Sequence, residues 1–200
     1  MIKALLLIFE PAMTWEKIVQ SRKSLGSVLL LYLTPMIVLS LAGELAGLAY
    51  FGKAQEYLGG PKEFGGSLKI SRSLLITYGI AQFISSYLLV AISARIMMSI
   101  AQTFHSRHTY SQCFTVTAYG FGPLFLLRLC DAFPSMNPWA SFGIGIVLTI
   151  TTLYQGVPKV LEPDPPNAFG LYLSSAFLLT IVSALTRYLT LLVLQQKFHL

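Results

Sequence analysis

Residues 26–51 read GSVLLLYLTPMIVLSLAGELAGLAYF, with Glu44 as their one charged side chain. A helix rises ~1.5 Å per residue, so about 20 apolar residues cross a hydrocarbon core of ~30 Å. This run is long enough. Four more follow at roughly 74–100, 110–129, 138–157 and 168–194. In each the apolar residues are continuous, not alternating. A closed barrel would alternate, so the backbone satisfies itself in lipid as helices. The expected fold is an all-α polytopic bundle of five transmembrane helices, one membrane domain over residues 1–200.

Composition agrees. The chain is 54% hydrophobic and 11% charged, with mean hydropathy +0.67. Soluble domains carry about 25% charged residues. Five spans in 200 residues leave no room for a soluble catalytic domain. The net charge of +6 does not indicate nucleic acid, because the basic residues flank the spans, where anionic headgroups lie. Cys113 and Cys130 lie at opposite ends of one span, roughly 25 Å apart on a continuous helix, and cannot bridge.

Ahead of the first span, Met1 to Phe9 hold one lysine and a short apolar run, without the longer core or cleavage site of a signal peptide. Pro11 suits a first helical turn. From there to Lys23 the pattern is amphipathic. An interfacial helix over about 11–23 is expected, with Trp15, Lys17, Arg22 and Lys23 as headgroup anchors.

The connector of residues 52–73 is the one long loop, broken by Gly59-Gly60-Pro61 and Gly65-Gly66. The prolines of residues 158–166 are expected to stop span 4. Asp164 or Asn167 can cap span 5. Basic residues tie across the membrane. Lys3, Lys17, Arg22, Lys23, Arg95, Arg107 and Lys159 lie on the amino-terminal side. Lys53, Lys62, Lys69, Arg72, Arg128, Arg187 and Lys197 lie on the other.

Three segments resemble the Yip1 family of small five-span membrane proteins. They are Phe9-Glu10-Pro11-Ala12-Met13-Thr14-Trp15, then Ala118-Tyr119-Gly120-Phe121-Gly122-Pro123, then Leu153-Tyr154-Gln155-Gly156-Val157-Pro158 with Pro165-Pro166-Asn167-Ala168. The resemblance implies five helices and a cytoplasmic amino terminus. Eukaryotic members are associated with vesicle trafficking and prenylated small GTPases. The segment before the first motif is shorter than their usual cytosolic extension. The chain is therefore most similar to bacterial members, which implies an inner-membrane location and no particular activity.

Charged residues inside spans mark sites or pairs, because each costs at least ~2.5 kcal/mol at the bilayer centre. Alternate spans run in opposite directions, so Glu44, Arg128, Asp131 and Arg187 all fall on the side away from the amino terminus. They form a candidate polar cluster, read either as a pocket for a headgroup or small solute or as snorkelling side chains with one structural salt bridge. Arg128 and Asp131, three apart, can pair on one face. Arg95 falls at the other side.

Gly43 and Gly47 form a small-x-x-x-small pair. Gly79, Ser86 and Ser93, with Gln82, and the pair Gly143 and Gly145 also suit close helix contact, within the bundle or in a homo-oligomer. Pro35 and Pro123 remove backbone hydrogen bonds, and Pro123 with Gly120 and Gly122 makes span 3 the candidate irregular helix.

His105, His108 and Cys113 lack a zinc spacing and a fourth ligand. No phosphate loop, nucleophile elbow or His-Glu-x-x-His is present. No catalytic residue, cofactor or metal is expected. The function expected is a scaffold or a module binding lipids and other membrane proteins, in membrane organisation or trafficking. The alternative is a small permease or channel subunit with its polar site on the non-cytoplasmic side.

Overall fold

The structure, a computed structural model, describes residues 2–21, 23–51, 53–57, 70–104 and 109–195. Arg22, His105, Arg107, His108, Lys197 and the glycine-rich part of the long connector lie outside the described residues. Two helices, α1 (Ile2–Phe9) and α2 (Pro11–Gln20), precede the spans. Five helices are long and apolar enough to cross a membrane: Leu25–Tyr50, Arg72–Thr103, Tyr110–Ala132, Pro138–Leu161 and Pro166–Gln195, here spans 1 to 5. Ala54–Tyr57 forms a short helix after span 1. Among the described residues there is no strand.

Helix starts follow local chemistry. The Ser71 hydroxyl accepts from the Leu74 N–H at 3.2 Å. Thr109 and Gln112 form a reciprocal capping box on span 3. Asn137 caps span 4 at the Trp139 and Ala140 N–H groups, with Pro138 in the first turn. These caps satisfy N–H groups that a helix leaves without partners.

Two boundaries move at prolines. Span 4 runs through Pro158 to Leu161 instead of stopping at residue 157. A proline this close to the carboxyl end forfeits a single intrahelical bond. Span 5 starts at the Pro165-Pro166 pair, tolerated in a first turn, while the Asp164 carbonyl accepts from Asn167 and Ala168.

Both intramembrane prolines perturb their helices. Span 1 widens to a π-turn over Leu29–Leu33 just before Pro35. There the Thr34 N–H and its hydroxyl (2.9 Å) both reach the Leu29 carbonyl. The Tyr87 hydroxyl then donates to Thr34 Oγ1 at 2.7 Å. Span 3 divides at Phe121. One half ends at Gly120, and the next begins at Gly122 with Pro123 in its first turn.

Span 3 is the centre of the bundle. Of its apolar stretch 72% is buried, against 33–39% for the other spans. Spans 1, 2 and 4 pack on it, span 5 packs on spans 2 and 4, α2 lies on span 4, and α1 lies on the second half of span 3. The outward faces are apolar: Ile76, Ile80, Ile84, Leu88 and Ile92 recur every fourth residue on span 2, all exposed. That stripe suits lipid.

The helix α1 was not foreseen. Its Ala4 lies against Gly122, roughly 18 Å along span 3 from Tyr110. Ala4 and Leu7 are buried while Ile2, Leu5, Leu6 and Phe9 face outward. Ile2–Phe9 is thus a short apolar helix packed at the depth of mid-span 3.

Candidate functional site

On the side away from the amino terminus, the first small-residue pair sets the geometry. A Cβ added at Gly43 would lie 2.8 Å from the Leu129 Cα, and one at Gly47 would lie 2.4 Å from the Asp131 carbonyl oxygen. Span 1 therefore touches the backbone at the end of span 3. That approach carries Glu44, on the same turn, to Arg128.

Glu44 Oε1 accepts from Arg187 Nη1 at 2.9 Å and stands 3.6 Å from Arg128 Nε. Its Oε2 lies 3.5 Å from the Tyr78 hydroxyl. Spans 1, 2, 3 and 5 meet on one carboxylate. Glu44 is 0% exposed, Arg187 1% and Arg128 2%, so these side chains are not snorkelling to headgroups. The Arg187 guanidinium also stacks 4.7 Å over the Tyr57 ring and lies 5.7 Å from the Phe142 ring centre.

Asp131 joins the cluster through a different partner from the one expected. Arg128 turns to Glu44, and Asp131 Oδ2 accepts from the Tyr57 hydroxyl at 2.8 Å. Burial, then the Glu44 carboxylate, push the Tyr57 phenol well above its ordinary value. It therefore stays protonated and a donor.

Three contributors escaped the sequence reading. Tyr57 lies in the connector and Tyr78 early in span 2. Lys53 is 1% exposed, and its ammonium donates to the Phe133 carbonyl at 2.5 Å and the Met136 carbonyl at 2.7 Å. Trp139 Nε1 adds a bond to the Glu56 carbonyl at 3.1 Å. The short helix after span 1 is thereby stitched to the turn between spans 3 and 4. A lysine just past a span reads as a flank charge, so only its cross-chain partners reveal this role.

A second meeting point lies toward the amino-terminal side, built on rings and glycines, with the Lys159–Glu16 ion pair at 2.5 Å on its more exposed edge. Trp15 was expected as a headgroup anchor, but its ring is 0% exposed. It lies on span 4, where a Cβ at Gly156 would come 2.4 Å from the indole. Its Nε1 donates to the Thr152 carbonyl at 3.0 Å. It meets Tyr119 edge-on at 6.3 Å, and Tyr119 stacks on Tyr32 at 4.1 Å. Gly120 receives Leu153, and Gly122 receives Tyr32 and Ala4. The three Yip1-like segments thus converge on one seam.

The remaining candidates divide. Lys17 and Lys23 are exposed. Gln82, Ser86 and Ser93 are buried in the interior. Gly145 admits Leu124, whereas Gly143 faces open space. Cys113 is buried, and no group of three metal-ligating side chains occurs among the described residues.

Neither a curated protein nor a solved structure matches the chain. Residues 5–186 match the Yip1 domain, a stretch that takes in most of α1, the buried Trp15 seam and Glu44, Arg128 and Asp131 of the charged cluster, and ends one residue before Arg187. The chain belongs to the Yip1 family and, with five helices able to cross a bilayer, is a multi-pass integral membrane protein.

Proposed function

We propose that this protein is a non-enzymatic scaffold that holds other membrane proteins or lipids against its outer faces in membrane organisation or trafficking. The observation that carries this reading is the sealing of Glu44, Arg128 and Arg187, at 2% exposure or less, into the junction of four spans. Charges locked there brace a fixed shape. The function of such a bundle then lies on its surface, in the apolar stripes of spans 2 and 5. The family associations with trafficking support the same reading.

A cytoplasmic amino terminus belongs to this proposal, with the bacterial inner membrane as its setting. Positive-inside counting concerns flank charges. Lys53, Arg128 and Arg187 are buried in the cluster and are not flank charges. Setting them aside leaves seven basic residues on the amino-terminal side against four on the other. Labelling of a cysteine introduced at Ser21 tests the orientation: reaction from the periplasmic face overturns it.

One observation favours the permease reading. Arg128 Nε and Nη2 and Arg187 Nε and Nη2 are buried without a hydrogen-bond partner, and such donors can solvate a small anion. Two measurements separate the readings. A cysteine at Thr190, beside Arg187, stays unreactive to an impermeant maleimide in a scaffold and reacts in a permease. A photo-crosslinking residue at Ile80, Leu88, Phe177 or Leu185 in native membranes gives discrete protein adducts in a scaffold. Lipid adducts alone at all four positions contradict a scaffold that binds membrane proteins there.

A further inference from the structure

A groove of about 550 Å3 opens where α2, the start of span 3 and the end of span 4 come together. It lies at the opposite side of the bundle from the charged cluster. Its lining carries both signs of charge, Lys23 and Glu162. Between them are the polar Ser111 and Gln112 and the apolar Ile18 and Val160.

Neither charge is neutralised by another of the described residues. Among the described residues, no acid lies within 4.0 Å of Lys23 and no base within 4.0 Å of Glu162. Lys159, one turn before Glu162, is already engaged by Glu16 at 2.5 Å and the Ala12 carbonyl at 2.7 Å. Lys3 lies outside the lining, its ammonium 5.7 Å from the Tyr119 ring centre. Burial first, then Lys23, hold Lys3 below its ordinary value.

The polar wall is also oriented. Gln112 Oε1 accepts from the Thr109 N–H at 2.9 Å and from its hydroxyl at 3.0 Å. The amide NH2 remains to donate to a ligand. Glu162 ends span 4 at φ 35 and ψ 53, the one positive-φ residue other than glycine among those described. Glycine is the usual residue at such a cap, and a side chain there is disfavoured. A glutamate in this disfavoured conformation is a pointer to use of its carboxylate.

We propose that this groove holds the headgroup of a zwitterionic aminophospholipid, with the phosphate toward Lys23 and the Gln112 amide and the primary ammonium toward Glu162. The lining matches that headgroup group by group. A primary ammonium donates hydrogen bonds to a carboxylate, whereas a quaternary choline has no N–H to donate. A phosphoglycerol headgroup has no cation to offer Glu162. The ends of the spans put the groove at headgroup level, and its apolar side chains suit the glycerol and first methylenes of a lipid. The inference is independent of the scaffold reading.

The test is native mass spectrometry of the full chain. The protein is reconstituted with equimolar phosphatidylethanolamine, phosphatidylcholine and phosphatidylglycerol of identical acyl chains. The wild type should retain phosphatidylethanolamine about fivefold over either competitor, the worth of one charge-assisted hydrogen bond in a part-exposed site. Lys23→Ala should lower retention of all phospholipids at this site, and Lys17→Ala should not. Glu162→Gly is the decisive variant. It relieves the left-handed cap, so the melting temperature should hold or rise, while the preference for phosphatidylethanolamine disappears. Equal retention of the three lipids by the wild type overturns the proposal, as does an unchanged preference in Glu162→Gly. Displacement of bound lipid by millimolar glycerophosphoethanolamine, with no lipid preference left, assigns the groove to a soluble amino-phosphate and also overturns it.

Discussion

The charged junction and the aromatic seam solve the same problem with opposite chemistry. Each joins helices through glycines that let a neighbour come into close contact. At the junction, Gly43 and Gly47 admit span 3 backbone, and the carboxylate of Glu44 then ties four spans together. At the seam, Gly156 and Gly120 admit Trp15 and Leu153, and rings fill the space. The junction is held by charge and fails when one partner is left alone. The seam is held by shape and fails in proportion to the volume changed. In a bilayer, where lipid tails are as apolar as leucine, both routes replace the hydrophobic drive that water gives soluble proteins.

The sharpest break in that contrast is expected at Glu44. Glu44→Gln keeps the shape and removes the charge, stranding Arg187 and Arg128. Breaking one side of a buried pair costs about 3–5 kcal/mol, or roughly 6–20 °C in melting temperature for a chain of this size. Thermal unfolding in detergent reads it. A silent Glu44→Gln would make the junction a matter of shape as well, and the contrast would vanish.

Next comes Gly47→Ala. Its new methyl would meet the Asp131 carbonyl oxygen at 2.4 Å, and backbone cannot swing aside. Overpacking of this kind costs about 1–3 kcal/mol. Gly143→Ala, facing open space, is the matched control and should be neutral or slightly stabilising.

A smaller effect is expected from Trp15→Phe, which keeps a ring but removes the bond to the Thr152 carbonyl. A loss of about 1 kcal/mol is expected, visible as a modest fall in melting temperature. In a Trp139→Phe background, Trp15 fluorescence should also resist quenching by brominated lipid, since its ring is covered by protein. Strong quenching at headgroup depth would restore the interfacial role. At the bottom of the scale, the exposed Lys17→Ala should stay within about 0.5 kcal/mol of wild type.

The legible part of this fold follows from its solvent. Five apolar runs gave five helices because lipid forbids unpaired backbone. The cluster of Glu44, Arg128, Asp131 and Arg187 was reachable because alternate helices run in opposite directions, so depth can be counted from sequence. Which partners pair was not reachable. Spacing favoured Arg128 with Asp131, but the glycine contact brought Glu44 to Arg128 and freed Asp131 for Tyr57. Trp15 misled for a related reason. An amphipathic pattern near a span suits a membrane surface, and it equally suits a groove on span 4 that only Gly156 opens. Helix α1 carried too short an apolar run to signal burial. Its place depends on Ala4 meeting Gly122, a contact between residues far apart in sequence.

The central claim is that Glu44 and Arg187 are one unit inside the bundle. A double-mutant cycle of Glu44→Gln, Arg187→Gln and the double variant, read by thermal unfolding in a single detergent, measures it directly. The two losses should overlap, so that the double variant is more stable than their sum predicts by about 1–3 kcal/mol, because removing both charges strands neither member of the pair, while Arg128 loses Glu44 equally in Glu44→Gln and in the double. Strict additivity of the two losses would contradict the account.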